Sequence, residues 1–342
     1  MNQSITRKIK TISFLIKLIL GLVILVLLSP IIYQLNPDFF VKREINPLTW
    51  APKQISTDLE DHPKAALVRM GYDVITKTPE LIGPMAAEKM QYAGNNLTCK
   101  SCHLEAGTKP GSGSFVGVAN RFPQFRGREN KIGTLEERIN GCMERSMNGE
   151  ALPEKSLEMQ AMVAYMKWLS EDVPEVLEGR FKGFVKVALP EIKADSSIGR
   201  QVYTQHCTVC HGADGQGNRA NEKSLYTYPP LWGSDAYNHG AGMHRVITAA
   251  EFIKGNMPYL QATIDNPILS DEEAYHVAAY INSFPRPQKG NPEADFPDKT
   301  LKPVSTPYGP WEDNFSAEQH KYGPFQPIMA YYQKEYGLKK SK

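Results

Sequence analysis

Neither sign of charge dominates this 342-residue chain: 39 basic residues face 37 acidic ones, for a net charge of +2. That balance lacks the basic footprint of a nucleic-acid-binding domain, and no nucleic-acid partner is expected. Cysteine is scarce, five in all, too few to staple a small disulfide scaffold. Alternating apolar and polar runs are missing from the globular part, which argues against strands. No acidic residue precedes Asp38, and no histidine stands between His103 and His206. What is present is enough apolar residue, 41%, for folded domains rather than a disordered chain. The length suits two or three of them.

The first residues combine Arg7, Lys8 and Lys10 with an almost wholly apolar stretch from Ile12 to Leu35, broken by Lys17. A spanning helix needs roughly 20 such residues. Its basic flank places the N-terminus in the cytoplasm and the rest outside. The uncharged run Leu18–Leu28 is also within the reach of a signal peptide, but Ser29-Pro30-Ile31-Ile32-Tyr33 offers no good cleavage site. The expectation is a membrane anchor at 1–36 with the body on the periplasmic side, or a soluble periplasmic protein if the segment is removed.

The cysteines are not scattered. Cys99-Lys100-Ser101-Cys102-His103 and Cys207-Thr208-Val209-Cys210-His211 repeat one pattern, and Cys142 stands alone. Each CxxCH is followed by an amphipathic helix: Ser156–Leu169, with Met159, Val163 and Met166 in register, and Ser270–Phe284, with Val277, Ile281 and Phe284. Tyr165 lies 62 residues after His103 and Tyr280 lies 69 after His211. The chain thus reads as a duplicated unit, 37–175 and 176–285. A tail at 286–342 follows, rich in proline and aromatics and expected to wrap over the domains as irregular chain.

CxxCH attaches haem c, its thiols bonding the macrocycle and its histidine ligating iron. Zinc would want four ligands in local pairs, and no second CxxC or HxxxH closes either site. Two covalent haems are therefore expected, through Cys99, Cys102 and His103 and through Cys207, Cys210 and His211. The units resemble class I cytochromes c over roughly 60–170 and 198–285. The fold class expected is mainly α: two such haem domains in tandem behind the N-terminal transmembrane or signal helix.

Iron needs a sixth ligand or an open position. In the second unit Met257, 46 residues after His211 in Gly255-Asn256-Met257-Pro258-Tyr259, resembles the distal Met-Pro loop of class I cytochromes; Met243, His239 and His244 are the alternatives. A thioether ligand suits electron transfer. The first unit offers Met143, Met147, Met159, Met162, Met166 and Cys142. Thr134 and Glu137 form a capping box, so a helix should start there. Arg138, Cys142 and Ser146 then recur on one face, and Gly141 leaves room beside the thiol. An unpaired cysteine in an exported protein is a flag, although burial as a small apolar side chain is its ordinary fate. Nearby positive charge would favour its thiolate.

Arg121-Phe-Pro-Gln-Phe-Arg126-Gly-Arg128-Glu-Asn130 and Arg138-Ile-Asn-Gly-Cys142-Met-Glu-Arg145-Ser146-Met-Asn-Gly149 closely resemble the periplasmic dihaem thiosulfate dehydrogenases. The likeness runs from about Gly71 through Phe284. The first unit is also similar to the haem subunit of the multi-enzyme thiosulfate-oxidising system. The resemblance implies an oxidoreductase that interconverts two thiosulfates and tetrathionate and exchanges two electrons with a cytochrome partner. It implies that Cys142 is the distal ligand of the first haem, at the active site, and that Arg128, Arg138 and Ser146 hold the sulfur anions. Asn256 departs from members that carry lysine beside the Met ligand. The competing reading is a membrane-anchored dihaem electron carrier with no substrate chemistry, which has no use for a cysteine flanked by arginines. A dihaem peroxidase is a third, with no reason to keep the Cys142 helix.

Overall fold

The computed structural model describes residues 2–35, 47 and 49–342. The boundary expected at 36/37 lies outside the described residues. Helix α1 (Asn2–Leu35) belongs to one compact unit, Met1–Trp50, and residues 51–342 form the other. Within α1 the span Arg7–Pro30 is long and apolar enough to cross a membrane.

Within residues 51–342, α2 (Ala65–Thr76) and α3 (Thr78–Ile82) precede a short hairpin, β1 (Gln124–Arg126) and β2 (Lys131–Gly133). Then come α4 (Leu135–Met143), α5 (Leu157–Trp168) and α6 (Glu175–Phe181). Next are α7 (Ser196–His206), α8 (Thr208–His211), α9 (Val246–Asn256) and α10 (Asp271–Ser283). The antiparallel hairpin, with Phe125 opposite Ile132, is too short for its alternation to show in the sequence.

The duplication is visible in how the helices cross. Helix α2 packs on α5, and α7 packs on α10. At the first crossing a Cβ on Gly71 would stand 2.0 Å from the Ala161 carbonyl oxygen; at the second, a Cβ on Gly199 would stand 2.2 Å from that of His276. In both pairs the next side chain in line is the repeated tyrosine, Tyr165 or Tyr280. Glycine is required because only a backbone without Cβ lets the helices approach this closely. Capping sets the helix starts: Ser156 accepts from Met159 N at 3.2 Å, and Ser270 with Glu273 closes a capping box.

Two apolar cores result. Val68, Ile75, Met159, Met162 and Trp168 belong to the first. Val202, Ile247, Val277, Ile281 and Tyr332 belong to the second, with Phe284 at its edge stacked on Trp232 at 4.1 Å. The C-terminal tail is more regular than its prolines suggest. It forms α11 (Ala317–Tyr322) and α12 (Gln326–Tyr336), and it buries Phe325, Ile328 and Tyr332 in the second core. Pro327 sits in the first turn of α12, where its missing N–H costs no intrahelical bond.

Candidate active site

Both CxxCH segments are pinned by their histidines. His103 Nδ1 lies 2.7 Å from Gly113 O, and His211 Nδ1 lies 2.8 Å from Pro229 O. A carbonyl only accepts, so Nδ1 carries the proton and Nε2 keeps its lone pair for a metal. None of the five cysteines is joined to another in a disulfide. Burial pushes Cys99 up to about 11 and Cys102 and Cys207 up to about 12. Cys102, Cys207, Cys210, His211, Met243 and Met257 line one cavity of 1210 Å³, above the roughly 300–1,000 Å³ of small-molecule sites. Among the described residues, the buried N–H donors at Arg121 Nη1, Trp168 Nε1 and Arg286 Nε have no hydrogen-bond partner. Arg286 stacks on Tyr237, another wall of the cavity. Paired thiols, a free imidazole nitrogen and the unsatisfied Arg286 donor behind the Tyr237 wall fit a large covalent macrocycle bearing carboxylates. Among the described residues no three His, Cys, Asp or Glu side chains converge as a zinc site would need.

Met257 caps the end of α9 and is half-buried beside the second core. Met243 shares the cavity, so both methionines stay open as ligands. His244 Nδ1 donates to His239 O at 3.0 Å and His239 Nδ1 accepts from Lys289 N at 2.8 Å, and neither histidine is in the lining of the cavity that holds Met243 and Met257. Asn256 is buried and donates to Gly111 O of the first half at 2.8 Å.

Cys142 lies in the last turn of α4, one residue before its end. Thr134 and Glu137 cap that helix reciprocally, at 3.2 and 2.8 Å. Arg138 Nη1 donates to Cys142 Sγ at 2.8 Å. Burial alone would push this thiol up, but the charge of Arg138, contact with His103 and the charge of Arg145 bring it down to about 5. Cys142 is therefore a thiolate at neutral pH while the CxxCH cysteines around it are not, and it faces the imidazole of His103.

Two local expectations are corrected. Helix α4 ends at Met143, so Ser146 does not continue the face of Arg138 and Cys142. The cause is the partners waiting for the following carbonyls: Asn95 Nδ2 donates to Ser146 O at 3.0 Å and Gly94 N to Met147 O at 2.9 Å. Those bonds draw the chain out of the helix. The room beside Gly141 is taken by the Arg145 guanidinium, 2.4 Å from where a Cβ would stand.

Arg128 is brought to the same region from the hairpin. Its Nη1 donates to Asp295 and, at 2.9 Å, to Tyr308 OH, and its guanidinium lies 4.8 Å from the Phe296 ring. Arg145 is buried, with the carboxylates of Glu129 and Glu144 no nearer than 4.0 Å. Arg245, from the second half, feels the charges of Arg128, Arg145 and Arg138. Asp295, Tyr308, Arg145 and Arg245 were not among the residues expected from sequence. Arg145 stands inside the Cys142 motif and was within reach; the others arrive from over a hundred residues away and carry no local pattern.

The SoxA/TsdA cytochrome c domain family matches residues 89–174, and the cytochrome c family matches 196–285. Thiosulfate dehydrogenase of Psychrobacter arcticus is 39% identical over 70% of this chain and 69% of its own length. That of Allochromatium vinosum is 40% identical over 68% of this chain and 86% of its own. Among solved structures, thiosulfate dehydrogenase (TsdBA) from Marichromatium purpuratum, in its as-isolated form, superposes with a TM-score of 0.62 at 33% identity. That alignment covers 71% of this chain and 50% of the other. Two cytochrome c domains in tandem, identity near 40% across most of the chain and a matching solved fold agree: the chain belongs to the thiosulfate dehydrogenase family.

Proposed function

We propose that this protein joins two thiosulfate dianions into tetrathionate, passing two electrons through two covalently bound haems c to a cytochrome partner. The observation that carries the proposal is the Arg138–Cys142 pair, a thiolate held at 2.8 Å by a guanidinium and facing His103. In the reaction one S–S bond forms between the outer sulfurs, no bond breaks, no proton moves, and two electrons leave. Haem c supplies one-electron acceptance at iron; His103 and Cys142 would hold the first, and His211 with Met257 the second.

The protein's task is electrostatic. Each pair of unit charges at 4 Å costs about 4 kcal/mol at an effective dielectric of 20, and two dianions contain four such pairs. A hydrogen bond to a charged group contributes about 1.5–3 kcal/mol. One or two arginines cannot offset that repulsion, and a cluster can. Arg138 keeps Cys142 ionised and offers its remaining N–H groups to an oxyanion. Arg128, oriented by Asp295 and Tyr308, and Arg145 add positive field from the other sides. Ser146 belongs to the turn that closes this region. Arginine serves here because its planar fork binds oxyanions bidentately and stays charged.

On this reading α1 anchors the protein to the bacterial inner membrane with residues 51–342 on the periplasmic side. Electrons leave by the second haem, beside which Val209 and Leu260 are 85% and 79% exposed. The test is purified full-length protein with thiosulfate and ferricyanide. Tetrathionate should form with two ferricyanides reduced per molecule. A protein whose haems exchange electrons with a reduced cytochrome but make no tetrathionate, in either direction, is a carrier. Detergent-dependent release from membranes checks the anchor; a soluble form beginning after residue 30 would contradict it.

A further inference from the structure

Besides the tail residues that meet Arg128, residues 235–245 of the second half reach into the active-site region. Asn238 N donates to Arg145 O at 3.1 Å, and Asn238 Nδ2 donates to Glu144 O at 2.9 Å and Asn148 Oδ1 at 3.2 Å. Asn95 Nδ2 donates to Ala236 O at 3.2 Å. Tyr237 and Ala241 are buried in the first core. The segment is therefore fixed on the end of the Cys142 helix from both sides, and Arg245 is the residue at which it passes into α9.

Arg245 differs from its neighbours in how it is paired. Arg126 has Glu129 at 2.9 Å, Arg128 has Asp295, and Arg138 has the Cys142 thiolate. Arg245 is half-buried with only a 3.5 Å contact from Nε to Gly242 O, and among the described residues it has no carboxylate partner. Three other guanidiniums, Arg128, Arg145 and Arg138, act on it. A half-buried cation within the field of three more, with the Tyr308 hydroxyl also acting on it, is costly to fold, and an anionic ligand would offset the cost.

We propose that Arg245 binds the second thiosulfate, opposite the one held at Cys142 by Arg138, so that the two halves of the protein each grip one of the joined anions. This rests on the thiosulfate-coupling reading above. One arginine on the Cys142 helix and one across from it would hold the outer sulfurs toward each other while their sulfonates point apart. Bond formation then needs both halves in place.

The test uses haem-loaded full-length protein carrying Arg245→Gln or Arg245→Lys. Haem content and the potential of each haem are measured beside thiosulfate saturation with ferricyanide. Arg245→Gln should raise half-saturating thiosulfate about ten- to hundredfold, the loss of one charge-assisted hydrogen bond. Both haem potentials should stay unchanged, and Arg245→Lys should recover part of the loss. If Arg245→Gln fails to load haem, the same comparison is read from Arg245→Lys, which keeps the charge but loses the fork, and must show weaker saturation at unchanged potentials. Wild-type saturation in both variants would overturn the proposal. So would a shifted haem potential with unaltered saturation, which would assign Arg245 to a haem carboxylate. An unsubstituted protein inactive on thiosulfate overturns the underlying reading as well, whereas active wild type with indifferent Arg245 variants overturns this inference alone.

Discussion

Cys142 sits where burial and charge oppose each other. Removal from water disfavours a thiolate, yet Arg138, His103 and Arg145 bring the group from an ordinary 9.0 to about 5. Arg138 makes the largest single contribution to that lowering, from one turn away. Arg138→Gln should keep both covalent haems and raise half-saturating thiosulfate by about tenfold or more. Thiosulfate titrations with ferricyanide check this, and unchanged saturation would remove Arg138 from the anion site. The i, i+4 pair was legible in the sequence because both residues share one helix whose capping box is also written there. Ser146 was misplaced for the converse reason: what ends the helix is a segment some fifty residues earlier. Arg128 was legible as a residue but not in its pairing, since Asp295 reaches it across a separation of 167 residues.

Helices α2 with α5, and α7 with α10, carry each cytochrome unit, and each pair touches at a glycine. A methyl on Gly71 or Gly199 would press on a backbone carbonyl that cannot rotate away. Gly71→Ala and Gly199→Ala should each destabilise by about 1–3 kcal/mol, the usual cost of overpacking, seen as a lower melting temperature of the haem-loaded protein. Melting at the wild-type temperature would mean the crossings are looser than they stand. Here apolar periodicity and capping made α5 and α10 legible almost to the residue. The glycine contacts were not, because a close approach is a property of two helices and neither carries it alone. The tail's helices were hidden by proline, which interrupts a helix interior but is tolerated in a first turn.

At the scale of the molecule, the C-terminal tail completes the site: Asp295, Phe296 and Tyr308 all meet Arg128. Its own packing buries Lys302, whose Nζ donates to Pro310 O at 2.9 Å and stands over the Tyr308 and Trp311 rings. Burial brings this ammonium from an ordinary 10.5 down to about 8. Between those values the unfolded chain binds the proton more tightly than the folded one, so this lysine's contribution to stability rises with pH from about 8 toward 10.5. Lys302→Met should flatten that part of the stability curve, as thermal melts from pH 7 to 10 would show. An identical slope in the variant would assign the pH dependence to other groups. The sequence could show that the tail docks, through its aromatics, but not that it reaches the arginines of the first unit.

The central claim is that a lone cysteine on a capped helix, held as thiolate by arginine, makes this dihaem protein an enzyme rather than a carrier. Replacing Cys142 by alanine tests it most directly. Cys99, Cys102, Cys207 and Cys210 are untouched, so both haems should remain covalently attached and the second should still exchange electrons with a cytochrome. Thiosulfate oxidation and tetrathionate reduction, measured on that protein, should both fall to background. Turnover at the wild-type rate would contradict the account and leave the electron-carrier reading in its place.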